Sequence, residues 1–497
     1  MHILNLRILK RLLKGTGIIA LVLTLAIGVT GVWLYNQAQQ SNVGNLKFDN
    51  PIAIPPLLEP RTDDEGRKVF DLTITAGKAE LIPGKRTDTW GINGPYLSPT
   101  LRASQGDEVL INVTNDVNEP TSLHWHGMHL PAAMDGGPHQ MIKPGATWSP
   151  TWTINQPAAT LWFHPHLHGT TAQHVYRGVA GLFLLDDPES QVLELPHSYG
   201  VDDIPVIIQD KRFNSDRSLN TESPMFSDIG ILGDEILVNG THAPYFEATT
   251  TLVRLRVLNA SNARIYNLGF NGNRVYSLIG TDSGLLEAPV AMTRLQLAPG
   301  ERAELVVQVA PGEDVMLRSF PPDLGMDFWA EQVNGGNDTF DILNIRTAGP
   351  LVESPPLPSD LVTIDRPEEA TATTTRSFRL SGHSRINGEK MDMNRIDEAV
   401  TVGTSEIWEI RHGSGPIHSF HVHDVHFIVL DVDGQEPPAH LQGWKDTILI
   451  PRGTSVRIIA RFDDYTDPEA PFMFHCHMLM HEDRGMMGQF AVVEPGE

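Results

Sequence analysis

The sequence contains a single cysteine, Cys476, among its 497 residues. No disulfide can form within the chain, so this cysteine needs another explanation. Basic residues are also scarce, because 37 Lys and Arg stand against 61 Asp and Glu, for a formal net charge of -24. Such a chain repels a phosphate backbone and attracts cations instead. The charge therefore argues against nucleic acid as a partner.

The composition gives little support to long helices or disorder, since it includes 43 Gly, 36 Pro and only 20% charged residues. Residues 109–113 and 253–257 alternate apolar with polar side chains between turn residues, as strands do. At roughly 150 residues per domain, the length suits about three domains. Short strands at this spacing predict an all-β protein built of sandwiches.

One segment, residues 15–35, lacks charge and is about 20 residues long, which is the length that crosses a bilayer. Trp33 and Tyr35 at its far end are typical of a membrane interface. The basic residues before it are Arg7, Lys10, Arg11 and Lys14. Export signals usually have a shorter apolar core, so within residues 1–45 we predict a cytoplasmic stub and a transmembrane anchor in preference to a cleaved signal. The rest of the chain is then periplasmic or otherwise extracytoplasmic.

The first and last thirds of the chain repeat each other. Residues 122–126 (SLHWH) correspond to residues 419–423 (SFHVH), and residues 163–166 (FHPH) correspond to residues 474–477 (FHCH). The middle third keeps the strand frame but has no histidine at the corresponding places. Domains are therefore predicted at residues 55–190, 200–350 and 370–497, with linkers in 185–196 and 350–375, and the middle domain is predicted to be free of any metal that those histidines bind.

Four His-x-His pairs lie in the repeated motifs. Side chains two residues apart point to the same face of a strand, so each pair can clamp a metal ion. If the first and last domains pack face to face, eight imidazoles meet at their interface, which suits a cluster of three copper ions. The eight are His124, His126, His164, His166, His421, His423, His475 and His477.

Cys476 projects to the face opposite its two flanking histidines, and His418, three residues before His421, can do the same. These two side chains can leave the cluster and form a second site with a later histidine and a methionine. The set is His418, Cys476, His481 and Met486. One cysteine, two histidines and a weak axial methionine are the ligands of a blue copper site. The first domain has Thr121 and Pro165 at the two corresponding places, so no second such site is expected there.

Residues 475–487, HCHMLMHEDRGMM, carry the complete His-Cys-His-x3-His-x4-Met pattern that closes the chain in bacterial multicopper oxidases of the periplasmic copper-resistance and laccase-like kind. The chain resembles that family from about residue 60 to its C-terminus. The resemblance implies three cupredoxin-like Greek-key β-sandwich domains and four copper ions. It assigns the type 1 copper to His418, Cys476, His481 and Met486, the type 2 copper to His124 and His421, and the type 3 coppers to His126, His164, His166, His423, His475 and His477.

The resemblance also implies a reaction. Phenols, aromatic amines or metal ions lose one electron at a time, and dioxygen takes four electrons and four protons to become two waters. Asp135 and Glu482 stand where the family places proton donors. Asp446, in the segment GWKDT, is a candidate either for orienting a cluster histidine or for the substrate pocket. We expect a monomer.

Copper-resistance relatives carry a methionine-rich insertion over the type 1 site, and this chain has none. Residues 310–400 contain only four methionines, Met316, Met326, Met391 and Met393. We therefore expect phenols, aromatic amines or metal ions that reach the histidine edge. The alternatives are a copper-tolerance protein acting mainly as a cuprous oxidase, a copper-binding electron-transfer protein, and a scaffold similar to cell-division relatives that have lost copper ligands. Four further histidines near the motifs, His129, His139, His168 and His174, are expected to be supporting or surface residues.

Overall fold

The structure is a computed structural model that describes residues 38–224 and 226–496, together with residues 8, 14, 16, 21–26, 28–32 and 35. Part of the predicted membrane segment, residues 15–35, lies outside the described residues, namely 15, 17–20, 27, 33 and 34. Those of its residues that are described at 21–26 and 28–32 are helical. Within the described part of the chain, none of the helices combines the length and the apolar character needed to span a bilayer.

Six sheets hold the strands, two from each third of the chain. The chain enters through β1 (Asn50–Pro51), which pairs in parallel with a strand of the middle third and so ties the N-terminal part of the described chain to that third. We call the three pairs of sheets the first, middle and last regions. The predicted all-β class is confirmed, whereas the predicted domain limits stay predictions.

The first region contains β2 (Arg61–Thr62), β3 (Lys68–Ile82), β4 (Lys85–Ile92), β5 (Leu101–Ser104), β6 (Glu108–Asp116), β7 (His124–His126), β8 (Thr147–Trp148), β9 (Thr151–Thr153), β10 (Ala159–His164) and β11 (Gly181–Asp186). The middle region contains β12 (Asp203–Lys211), β13 (Glu235–Val238), β14 (Thr241–His242), β15 (Pro244–Glu247), β16 (Leu252–Asn259), β17 (Tyr266–Phe270), β18 (Tyr276–Thr281), β19 (Gly284–Met292), β20 (Leu295–Leu297), β21 (Arg302–Gln308), β22 (Asp314–Phe320) and β23 (Phe340–Arg346). The last region contains β24 (Ala372–Ser381), β25 (Arg385–Ile386), β26 (Glu398–Thr401), β27 (Thr404–Ser414), β28 (His418–Val422), β29 (Phe427–Val432), β30 (Thr447–Ile450), β31 (Ser455–Phe462), β32 (Phe472–His475) and β33 (Met487–Val493).

Beyond the helical residues near the N-terminus, the helices of the described residues are short and lie between strands. They are α1 (Thr171–Arg177), α2 (Pro188–Gln191), α3 (Phe328–Val333) and α4 (Leu479–Asp483), with 3-10 turns at Ala132–Met134, Asn271–Asn273, Glu369–Thr371 and Ala439–Leu441.

The two predicted strands behave differently in the fold. In β6 the side chains alternate between buried and more exposed, as the sequence pattern predicts for a strand with one wet face. In β16 the alternate polar residues Arg254 and Arg256 are buried too, because their guanidinium groups pair with Asp203 and Glu304. Arg256 also donates to Thr160 Oγ1 of the first region at 2.8 Å. The polar face of β16 is therefore buried by ion pairs within the middle region, and it meets the first region through a hydrogen bond to Thr160.

The internal repeat extends to strand register. In the first region β7 pairs antiparallel with β10, with His124 opposite His164. In the last region β28 pairs antiparallel with β32, with His421 opposite His475. The two sets of His-x-His motifs are thus placed on equivalent strand pairs.

Candidate metal centre

The eight histidines of the four pairs converge between the first and last regions, and all are buried. The contacts across the interface are reciprocal. His124 stacks on His423 with ring centroids 3.8 Å apart, and His126 stacks on His421 at 3.7 Å. Each region therefore supplies half of one cluster.

The ring nitrogens gather into groups whose atoms all lie within 4.8 Å of one another. Two of these groups join the regions and together hold the six histidines that the resemblance assigns to type 3 copper. The groups are His126 with His164 and His477, and His166 with His423 and His475. A third group contains His124 and His421, the two residues assigned to type 2 copper, together with His423.

Backbone carbonyls determine which ring nitrogen faces the cluster. His124 Nδ1 donates to the carbonyl of Asp135 at 3.0 Å, and His421 Nδ1 donates to the carbonyl of Asp446 at 2.8 Å. The Nε2 atom of each of these rings is buried without a hydrogen-bond partner among the described residues. A second ring nitrogen fixed in this way is what orients a metal-binding histidine.

For seven of the eight cluster imidazoles, burial favours the neutral form that binds metals. Burial and the neighbouring rings lower the pKa well below the usual range for His126, His164, His421, His423 and His475. Burial also lowers the pKa of His166 and His477 to about 3. Buried polar atoms without partners are costly. A cluster of buried imidazoles, several of which have a ring nitrogen without a partner, therefore fits bound metal ions.

The second predicted site lies on the other face of β32. Cys476 Sγ is 3.8 Å from His418 Nδ1 and 3.7 Å from His481 Nδ1, and the three side chains are fully buried. The far nitrogen of His481 donates to the carbonyl of Asp228 at 3.0 Å. Met486 is also fully buried, and its carbonyl accepts the Cys476 amide at 3.0 Å.

Burial raises the pKa of the Cys476 thiol to about 12. A thiol in such surroundings ionises only beside a strong positive charge, and a coordinating metal supplies one. Thiolate, thioether and imidazole donors together suit copper. The residues of both sites thus fit the metal that the resemblance implies.

Two acids contact the cluster from opposite sides in matching ways. Asp135 Oδ2 lies 2.8 Å from His423 Nδ1, and Asp446 Oδ1 lies 3.0 Å from His126 Nε2. Each acid therefore contacts a histidine of its own region through its backbone carbonyl and a histidine of the other region through its carboxylate. Asp446 is fully buried and contacts both His126 and His421.

Asp446 differs from Asp135 in having a cation. Arg302, from the middle region, donates to both of its carboxylate oxygens, at 2.7 and 2.6 Å. Burial raises the pKa of Asp446, but Arg302 and His126 lower it by more, so it stays well below its usual range. Next to Asp446 in the chain, Lys445 makes two further ion pairs, with its Nζ 2.9 Å from both Asp282 and Glu301.

The middle region approaches the cluster closely at Gly300. A side chain there would lie 3.0 Å from the His477 ring, and the φ of +87° also favours glycine. The sequence analysis missed Arg302 and Gly300, because neither belongs to a motif and both act across a region boundary.

Glu482, on α4, lies beside two other cluster histidines. Its Oε1 is 3.4 Å from His166 Nδ1, and its Oε2 is 3.3 Å from His475 Nδ1. Burial and the nearby Asp483 raise the pKa of Glu482 well above its usual range. The two acids named from the resemblance, Asp135 and Glu482, thus both touch the cluster.

The remaining histidines near the motifs have supporting contacts. His129 lies 2.7 Å from Asp424 and 2.8 Å from Asp464, His174 lies 3.1 Å from Thr121 Oγ1, and His139 contacts Gln489. His168 is exposed. Two histidines that the sequence analysis did not single out border the Cys476 site, with ring centroids 5.4 Å apart for His383 and His481 and 5.3 Å apart for His412 and His418.

Comparison with known proteins bears on the identity of this centre. The sequence pattern of the family described as Multicopper oxidase matches residues 73–190 and 354–496. The chain is 38% identical over 456 residues to Cell division protein FtsP of Escherichia coli (strain K12), covering 89% of this chain and 92% of that protein. It is 35% identical over 461 residues to Multicopper oxidase mco of Staphylococcus aureus, covering 91% and 95%.

Among solved structures, a laccase from Pediococcus acidilactici superposes with a TM-score of 0.80 at 33% identity, covering 90% of this chain and 95% of the laccase. The predicted fold of three cupredoxin-like β-sandwich domains is thereby confirmed, and the family implies copper for the histidine clusters. With two matching segments, relatives of more than 30% identity over most of their length and a shared fold, the chain belongs to the multicopper oxidase family.

Proposed function

We propose that the protein is a laccase-like oxidase that couples one-electron oxidation of phenols, aromatic amines or metal ions to the four-electron reduction of dioxygen to water. The observation that carries the proposal is the position of Cys476. Its sulfur belongs to the group with His418 and His481, while its chain neighbours His475 and His477 belong to two different groups of the cluster. One short stretch of backbone therefore connects a single-electron site to a cluster of several metals.

In this proposal the chain holds four copper ions. The type 1 ligands are His418, Cys476, His481 and Met486, the type 2 ligands are His124 and His421, and the type 3 ligands are His126, His164, His166, His423, His475 and His477. Bound copper supplies the one-electron transfers from the donor and the binding of dioxygen. The chain supplies the rest: it holds the ligand atoms in place, excludes water and provides protons.

Protons come from two sides. Burial raises the pKa of Glu482 well above its usual range and so favours the protonated carboxyl, which lies within 3.4 Å of His166 and His475. Asp135 stands beside His124 and His423 and can pass protons on that side. Asp446, held by Arg302, is assigned the role of positioning His126 and His421.

Partners follow from the same proposal. They are dioxygen, a small reducing donor and a membrane contacted through residues 15–35, with the folded part outside the cytoplasm, and the protein acts as a monomer. The absence of a methionine-rich insertion in residues 310–400 favours organic donors or other metal ions over cuprous ion.

A second candidate is a role in cell division, because relatives named Cell division protein FtsP share 38% identity with this chain. The observation that favours the oxidase is the complete donor set. A scaffold has no use for buried, unpartnered ring nitrogens such as those of His124, His421 and His477.

Oxygen uptake tests the proposal. Copper-loaded protein is given phenols, ferrous, manganous and cuprous ions in turn, and we expect one dioxygen consumed for every four electrons donated, without release of peroxide. A chain loaded with its full copper that consumes no oxygen with any donor would exclude oxidase activity and leave the scaffold.

A further inference from the structure

The exposed Phe and Trp side chains of the described residues fall on one face. They are Phe226, Phe328 and Trp329, exposed by 66%, 67% and 50%. Phe328 and Trp329 begin α3, and Phe226 and Trp329 line the same cavity of about 750 Å³. We call these three residues the aromatic face. A cluster of large apolar side chains in water is unfavourable, and such patches mark contact surfaces.

The aromatic face meets the end of the uncharged N-terminal segment. The Tyr35 ring stacks on Phe328 with centroids 4.6 Å apart and an angle of 8° between the planes. It also meets Trp329 edge-on at 5.4 Å. The Tyr35 carbonyl accepts a hydrogen bond from Gln332 Nε2 at 2.7 Å. The segment therefore reaches the folded part at this face.

The chain has little freedom to move the face away from Tyr35. The backbone N–H of Gln40 donates to the Asp338 carboxylate at 2.7 Å, and the side-chain amide of Asn42 donates to the backbone carbonyl of Asp341 at 3.0 Å. Only a few residues separate these anchored positions from Tyr35. Whatever surrounds the uncharged segment must also lie close to α3.

The described residues within that segment need apolar surroundings. Leu21, Leu23, Leu25 and Val29 are exposed by 56% to 69%. Apolar side chains at this density are at home in lipid, and Trp and Tyr favour the boundary between lipid and water. The net charge of -24 opposes attraction to anionic headgroups, so contact with the bilayer must be apolar.

We propose that the aromatic face inserts into the interfacial layer of the lipid bilayer that holds the N-terminal segment, so that one defined side of the oxidase rests on the membrane. The inference depends on the proposed membrane location and not on the proposed oxidase activity. Because apolar insertion drives the contact, we expect it to persist at high salt.

Site-directed labelling of the full chain tests this proposal. Cys476 is buried, so a cysteine introduced by Trp329→Cys is labelled selectively with a fluorophore. Val32→Cys reports on the N-terminal segment, and Val192→Cys, at a site exposed by 79% beside α2, is the matched control. Each labelled chain is reconstituted into phosphatidylcholine vesicles that contain a headgroup nitroxide lipid, and retained blue absorption shows that the copper sites are intact.

We expect the nitroxide to quench the labels at 32 and 329 and to leave the label at 192 unchanged, at low and at high salt. Quenching at 32 without quenching at 329 would overturn the aromatic-face proposal while leaving the membrane location in place. Absence of quenching at both positions would overturn both ideas and leave the oxidase proposal standing. Self-quenching at 329 in detergent, without nitroxide lipid, would show that a second copy covers the face instead.

Discussion

The half of the cluster on β7 and β10 and the half on β28 and β32 share register and reciprocal contacts, yet they differ on the opposite face of the strands. In the last region that face carries His418 and Cys476, whereas the first region has Thr121 and Pro165 there. The likeness extends to the helices. His174 on α1 precedes an Arg-Gly pair by three residues, as His481 does on α4.

His174 also keeps the contact that the repeat predicts. Its Nδ1 lies 3.1 Å from Thr121 Oγ1, at the place where His481 and His418 approach each other in the last region. The first region thus retains one of the two histidines of a type 1 site and lacks the cysteine. In the proposed function, one half supplies only its share of the cluster, while the other half also receives electrons.

Replacing Cys476 with Ser removes the feature that distinguishes the halves. We expect loss of the blue absorption and of electron entry, with oxygen uptake at background, because the thiolate is the ligand that joins the two sites. The cluster copper stays bound, since its eight histidines are unchanged. Visible absorption, copper content and oxygen uptake measure the result. Pro165→Ser, at the same place in the other half, is the matched control and should keep its colour.

The double variant Thr121→His with Pro165→Cys makes the first region resemble the last. With His174 already in place, we expect a second site of histidine and thiolate donors and one additional copper per chain. Copper content and the blue absorption per chain measure it, and Thr121→His alone is the control. A folded double variant with unchanged copper content would mean that the helices are not equivalent.

Arg302→Met tests the difference between the two acids. The variant leaves Asp446 buried without its cation, and breaking a buried ion pair costs about 3–5 kcal/mol. We expect a lower free energy of unfolding and loss of copper from the side of His126 and His421. Denaturant unfolding of the copper-free chain and the type 2 signal in electron paramagnetic resonance measure these effects.

Arg302→Lys keeps a charge without the two-pronged contact and should lose less. Among the described residues no Lys or Arg pairs with Asp135, so Asp135→Asn should cost less stability than Arg302→Met. Equal losses in the two variants would remove the structural distinction between the acids.

Glu482→Gln tests the supply of protons. A positioned proton donor contributes about 10²-fold or more to a rate, so we expect turnover to fall by that order while the rate of type 1 reduction is unchanged. Steady-state oxygen uptake and rapid anaerobic reduction separate the two steps. The control is Asp483→Asn, because Asp483 accepts the amides of Thr171 and Ala172 at 2.9 Å and does not approach the cluster histidines as Glu482 does. Wild-type turnover in Glu482→Gln would exclude its role.

The ligands could be predicted from the sequence because their geometry is local. Strand alternation places His124 with His126 on one face and separates Cys476 from its neighbours, so spacing alone indicates two sites. The repeat then predicts which strands pair. Strand alternation does not predict the roles of Arg302 and Asp228, because both belong to the middle region. Arg302 meets the cluster, and Asp228 meets His481, only after the regions pack. The middle region, predicted to be free of copper, thus contributes residues that hold Asp446 and His481 in place.

The same limit applies to β16. Its alternation of apolar and polar residues predicts one wet face, whereas the structure buries Arg254 and Arg256 in ion pairs with Glu304 and Asp203, next to the first region. Sequence periodicity identifies the strand, but it does not show whether a polar face meets water or another region.

The smallest expected effect concerns a third histidine in each motif, because the repeat reads His-x-His-x-x-His in both halves. His129 contacts Asp424 and Asp464 across the interface, whereas His426 Nε2 donates to the carbonyl of Gly127 at 2.9 Å. Burial lowers the pKa of His129, but the two acids raise it by more, to about 10. Hydrogen bonds to charged groups contribute about 1.5–3 kcal/mol and neutral ones about 1 kcal/mol. His129→Gln should therefore destabilise the chain more than His426→Gln at neutral pH.

The pH dependence separates the two contacts. Because the folded-state pKa of His129 lies above its unfolded value near 6.5, its contribution to stability is fully present below about pH 6.5 and disappears as pH rises through about 10. The difference in unfolding free energy between the wild type and His129→Gln should shrink over that window, measured by denaturant titration at several pH values. The corresponding difference for His426→Gln should stay constant, since burial lowers the pKa of His426 to about 4 and its ring is neutral throughout. If the loss of unfolding free energy varied with pH in the same way for both variants, the contacts of His129 and His426 would be equivalent. The asymmetry between the halves would then be confined to the type 1 site and Arg302.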